Sequence, residues 1–225
     1  MSLILEVCVD STESALAAVE SGVDRLELCG NLGLGGGTTP SLGLLKAVRK
    51  AAPTVPIMVM IRPRTGDFVY TEAEFEVMIE DIRCFRENSV QGVVFGVLTP
   101  EGDVDVTRTR RGQGITVTSA SSLDVLKTLL DHTNDRDPRI EILPGSGINS
   151  STVDALCQAL LSHGLREVHM SGGHWIDGAS VWRRDGMGMG VGGAGEWGIW
   201  RTRVSAIRAV KEIIDSFGNF NSTEA

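Results

Sequence analysis

Two short runs near the N-terminus carry residue types that do chemistry: Leu5-Glu6-Val7-Cys8 and Leu26-Glu27-Leu28-Cys29. Each sets a carboxylate two residues before a thiol. In a β-strand, residues two apart share a face. Read as strands, the runs turn Glu6, Cys8, Glu27 and Cys29 to one side and the intervening Leu and Val residues to the other. Burying two carboxylates costs several kcal/mol unless cations or donors meet them. Arg62 and Arg64, at the end of a third strand, are the expected counter-charges.

Two chemistries fit these residues. Paired soft thiolates at low coordination suit Cu(I) or another soft metal, which makes Cys8 and Cys29 the candidate ligands. Met58 and Met60 share the phase of Arg62, although strand methionines are more often core. Alternatively, Glu6 or Glu27 with His169 would supply acid–base chemistry on a small phosphate or carboxylate clamped by Arg62 and Arg64. A structural ion-pair network, with the cysteines filling gaps, would use the same residues. Three strand ends read as anion cradles: Ser119 to Ser122, Pro144-Gly145-Ser146-Gly147 and Ser171-Gly172-Gly173. The first two precede helix N-termini, whose free N–H groups attract anions. Ser119, Gly145, Gly147, Ser171 and Gly172 are the expected anion contacts. Cys84 and Cys157 fall on or beside apolar helical stripes and read as packing. No CxxC spacing supports a zinc finger or a thioredoxin-like motif.

Strand and helix periods alternate around these residues. Strands are expected at 3–9, 25–29, 57–61, 92–97, 115–119, 139–143 and 168–171. Helices are expected at 12–21, 40–51, from the capping box Thr71/Glu74 onward, and at 121–132, 151–163 and 202–217. Such alternation means a parallel sheet covered by helices. No GxGxxG follows the first strand, and polar residues gather at strand C-terminal ends, so a (β/α)8-type barrel is favoured over an open dinucleotide fold. Two passages resist the pattern. Residues 106–114 join two strands without evident room for a helix. The Gly/Trp-rich stretch 172–199 reads as a long loop, in a chain where 27 of 225 residues are glycine.

The 225 residues are expected to form one domain over 1–217 with a tail at 218–225. The net charge of −8 argues against nucleic acid or an anionic membrane as partner. No export signal or membrane span is evident, which predicts a cytoplasmic protein and leaves a homo-oligomer open.

The runs LEVCVDS, DRLELC, GGGTTPS, VMIRPRTGDF and GVVFGVLT, with PGSGI and EVHMSG further on, closely resemble the CutC copper-homeostasis family. The resemblance implies a (β/α)8 barrel, a cytosolic setting and a role in copper handling. It carries Cu(I) ligation onto Cys8 and Cys29, and places Glu6, Glu27, Arg62, Arg64, Asp67 and His169 at the barrel mouth. One departure stands out: between Val104 and Ile115 the chain lacks rather more than one β/α unit of the family pattern. A seven-stranded, imperfectly closed barrel is therefore expected, strained or broken between 92–97 and 115–119.

Overall fold

The computed structural model describes residues 3–112, 115–116, 123–133, 142–191 and 195–220. The elements run β1 (Ile4–Val9), α1 (Thr12–Glu20), β2 (Arg25–Leu28), α2 (Leu32–Gly35), α3 (Leu42–Ala51), β3 (Ile57–Met60), α4 (Glu72–Glu87) and β4 (Gly92–Phe95). They continue with α5 (Val106–Gly112), β5 (Ile115–Thr116), α6 (Leu123–Thr133), α7 (Val153–Leu160), β6 (Glu167–Met170), β7 (Gly173–Asp177), β8 (Gly198–Thr202) and α8 (Val204–Phe220).

Six strands form one parallel sheet in the order β5-β4-β3-β2-β1-β6. Strand alternation divides it into two faces. Leu5, Val7, Leu26, Leu28 and Val59 have no exposed surface and pack in one core with Leu45, Phe75, Met78, Ile207 and Ile214 of the helices. Each such side chain contributes roughly 1.5–3 kcal/mol by leaving water. Glu6, Cys8, Glu27 and Met58 alternate with them and take the other face, also buried.

Local chemistry sets the helix starts. Ser11 Oγ accepts from the Ser14 N–H at 3.2 Å, and Thr71 with Glu74 closes the expected capping box at 3.2 and 2.8 Å. The second helix begins at Leu42 rather than Pro40. Ser41 is extended and its hydroxyl accepts from the Leu44 N–H, so Pro40 stays outside.

Three expectations are corrected. Residues 106–112 do form a helix: Asp105 accepts from the Arg108 N–H at 3.0 Å, and the Arg108 guanidinium reaches Glu72 and the Tyr70 carbonyl at 2.8 Å each. With that crossover in place β5 pairs with β4, Val94 beside Ile115 and Phe95 beside Thr116. The expected break is therefore not there; among the described residues no ladder joins β5 to β6. Among the described residues the parallel sheet has six strands, and the expected strand at 139–143 falls largely outside them. Ile142 and Leu143 are buried but lie outside any strand, and 139–141 fall outside the described residues.

The 172–199 stretch is not loop throughout. Its ends pair as the antiparallel hairpin β7–β8, with Trp175 opposite Trp200 and their rings edge to face at 5.5 Å. The alternation His174-Trp175-Ile176 against Ile199-Trp200-Arg201 carries this signal, but the glycines between obscured it. The last helix likewise runs Val204–Phe220, past the expected end at 217.

Glycine allows the hairpin its close packing. A Cβ on Gly173 would lie 2.4 Å from the Trp200 ring. Gly173→Ala should therefore cost about 1–3 kcal/mol through overpacking. Gly43, near the start of α3, has only Ser41 Oγ within 4 Å of such a Cβ, at 3.7 Å. Gly43→Ala should add roughly 0.4–1 kcal/mol. Urea denaturation followed by tryptophan fluorescence checks both signs.

Candidate functional site

The polar face is built from three adjacent strands in fixed register. Glu6 on β1 lies beside Arg25 on β2 and beside His169 on β6; one step along, Cys8 lies beside Glu27, and Glu27 beside Met58. Glu6 is wholly buried, and each of its oxygens meets a cation. Arg25 Nε donates to Oε2 at 2.5 Å, and His169 Nδ1 donates to Oε1 at 2.9 Å. Arg25 also holds Glu167 through Nη2 at 2.6 Å.

With Nδ1 engaged, the other imidazole nitrogen is free to meet different partners. Nε2 stands 3.9 Å from Glu27 Oε2. One donor atom each from Cys8, Glu27 and His169 all lie within 4.8 Å of one another. Among the described residues this is the group whose composition and spacing could hold a metal ion. Cys29 does not complete it: its thiol donates to Glu27 Oε2 at 3.3 Å. Cys8 therefore belongs to the three-residue group, while Cys29 contacts it through Glu27.

Electrostatics follow from burial and these contacts. Burial pushes the Glu6 carboxyl up, but the hydrogen bond and charge of His169, with Arg25, outweigh it and hold Glu6 below the ordinary range. Burial pulls His169 down, yet hydrogen bonds to Cys8 and Glu6 and the charge of Glu27 hold it well above the usual histidine value. Burial raises Glu27, against the charge of His169 and with that of Glu6. Burial also raises Cys8, and with the charge of Glu27 it raises Cys29 much further. Near neutrality the group therefore holds an imidazolium, an anionic Glu6 and protonated thiols. Such thiols are poor nucleophiles until something displaces their protons.

Among the described residues, neither arginine expected as a counter-charge pairs with Glu6 or Glu27. Arg62 lies over the Phe68 ring at 4.9 Å and donates to the carbonyls of Gly35, Gly37 and Gly66 at 2.8–2.9 Å. Arg64 pairs outside the group with Glu74 at 2.6 Å and Asp67 at 3.0 Å. The counter-charges of Glu6 are Arg25 and His169 instead. For Arg25 the signal in the sequence is its phase with Glu27 in Arg25-Leu26-Glu27, which points it inward. Arg62, Gly145 and Ser146 line the same cavity as Cys8, Glu27 and His169, of about 230 Å³. Arg64 and Asp67 do not line it. Gly147 and Ser171 border a neighbouring recess with His169 and Trp200. Gly172, at φ 56°, lies between β6 and β7, and its carbonyl accepts from the N–H of Arg203, just before α8, at 2.9 Å. Ser119 lies outside the described residues.

Titration of this group should be visible in stability. His169, with its folded value raised, contributes fully below its unfolded value of about 6.5 and loses that contribution as pH rises through the folded value. Glu6, lowered, contributes above about 4.3 and loses it as pH falls. The melting temperature of metal-free protein should fall on the alkaline side, less steeply in His169→Gln. Glu6→Ala, which removes the carboxylate His169 donates to and leaves Arg25 with Glu167 alone, should cost about 3 kcal/mol at pH 7 by urea denaturation.

Comparison with known proteins agrees with the residues. The family model described as the CutC family matches residues 3–127. A family protein CutC of Chromobacterium violaceum is 34% identical over 250 aligned positions, covering 96% of this chain and 99% of its own. That alignment is longer than this chain's 225 residues, so the relative carries residues with no counterpart here. A Vibrio vulnificus counterpart is 35% identical over 212 positions, covering 76% of this chain and 82% of its own. A solved CutC structure from Streptococcus agalactiae, whose copper-homeostasis role is itself provisional, superimposes with a TM-score of 0.65 at 26% identity, over 76% of this chain and 99% of that one. No helix among the described residues is long and apolar enough to cross a membrane. By sequence and by fold, the chain belongs to the CutC family.

Proposed function

We propose that the chain binds a soft metal ion as cargo, Cu(I) in a copper-homeostasis role, through Cys8 and His169 with Glu27 alongside. The observation that carries this reading is the convergence of three donor atoms within 4.8 Å, one of them an imidazole nitrogen whose ring is fixed from behind by Glu6. A carboxylate holding the far nitrogen is the usual second support of a metal-bound histidine. Thiolate and imidazole together suit Cu(I). The same set with Glu27 would accept Zn(II), which makes zinc the natural competitor in a test. Cys29 is the second thiol of the site, held in reserve behind Glu27.

In this reading the sheet is the larger part of a (β/α)8-type barrel in a cytoplasmic protein, and the metal group faces its interior. The ion must displace the protons of Cys8 and of His169, so apparent affinity should climb with pH, by up to about a hundredfold per unit while both protons are released. Anaerobic Cu(I) titration against a competing chelator tests the assignment. Cys8→Ser should weaken binding by about two orders of magnitude and Cys29→Ser by less. Equal binding by wild type and by the double variant would remove the site, and preference for zinc at equal concentration would reassign its ion.

A further inference from the structure

Arg62 is a buried cation without an anion. It is 8% exposed, and among the described residues no carboxylate pairs with it. Its two terminal nitrogens donate to the carbonyls of Gly35, Gly37 and Gly66, while Nε, also buried, has no hydrogen-bond partner. Carbonyl dipoles solvate a guanidinium but leave its unit charge uncancelled, and an unpaired buried charge is costly. The protein accepts that cost in the wall of a cavity of about 230 Å³.

The rest of the cavity limits what could cancel the charge. Met60, Phe68, Val94 and Leu143 make its sides apolar. Glu27 lines it as well, with Cys8 and His169. A doubly charged phosphate would meet a single uncompensated cation, since the His169 imidazolium is already engaged by Glu6, together with hydrocarbon walls and a nearby carboxyl group. A monoanion with a short apolar body meets complementary chemistry at each point. Its carboxylate can take a charge-assisted hydrogen bond from Arg62, and its carbons can lie against Phe68 and Val94.

We propose that this cavity binds a small aliphatic or aromatic monocarboxylate, with its carboxylate on Arg62 and its hydrocarbon end against Phe68 and Val94. The ligand is separate from any metal, so the test uses chelator-treated protein and its outcome is independent of copper or zinc titration.

Isothermal titration of wild type with acetate, butyrate, 4-methylpentanoate, benzoate and inorganic phosphate, beside butanol and benzyl alcohol, reads the proposal directly. Butyrate or a larger acid should bind with a Kd of about 1 mM or tighter, acetate and phosphate more weakly, and the neutral alcohols at least about tenfold more weakly than the matching acids. Arg62→Gln should lower acid affinity by about tenfold or more. Arg62 also ties three loop carbonyls, so a second variant leaves it in place. Val94→Phe narrows the cavity from the apolar side and should weaken benzoate more than acetate. No binding of any acid by wild type at about 10 mM, or equal binding of acids and alcohols, would overturn the proposal. So would a folded Arg62→Gln protein that binds as wild type does, or a Val94→Phe protein whose acid profile is unchanged.

Discussion

Glu6 has no exposed surface, and its charge can be met only from the two strands beside its own. Arg25 comes from β2 and His169 from β6, both at the same level of the sheet. A slip of one residue in either ladder would turn that cation to the helix-facing side and leave a bare carboxylate in the interior. This constraint ties the register of β2, β1 and β6 to a single ion-pair arrangement. A buried pair adds little net stability over a hydrophobic replacement, because desolvation offsets most of the Coulombic gain. Its effect is to make alternative pairings expensive.

Much of the polar geometry follows. His169 is fixed through Nδ1, so Nε2 faces Cys8 and Glu27. Alternation places Cys8 two residues beyond Glu6 on the same face, and the β1–β2 register places Glu27 next to it. The metal group therefore comes from the same ladders that satisfy Glu6. Its three donors lie on three strands, so the sheet must form before the group exists. Around it, Arg62 joins the loops after β2 and β3 through backbone carbonyls, while Arg64 and Asp67 form a separate pair at the surface. Two arginines two residues apart thus have different partners: the first is held by carbonyls and an aromatic ring, the second by carboxylates.

The passage after β4 shows how a short segment can serve as a crossover in a parallel sheet. A seven-residue helix suffices to return the chain to β4, because Asp105 caps it and Arg108 fastens it to α4. Among the described residues, β5 stands at one edge of the ladder and β6 at the other. The Trp hairpin packs beside this sheet: α2 lies against it, where a Cβ on Gly33 would fall 2.8 Å from the Trp175 ring.

The sequence alone determined the alternation of strands and helices, the capping box at Thr71, the inward phase of Glu6, Cys8, Glu27 and Cys29, and the family to which the chain belongs. These are local or periodic properties, written in residues a few positions apart. Tertiary structure decided which cations meet Glu6, because pairing Glu6 with Arg25 and His169 depends on strand register across separations of 19 and 163 residues. Register also set Cys8 beside Glu27, to which the Cys29 thiol donates. The hairpin at 173–202 was hidden for a related reason: its two halves are each short, and only their pairing, Trp175 to Trp200, makes either one a strand.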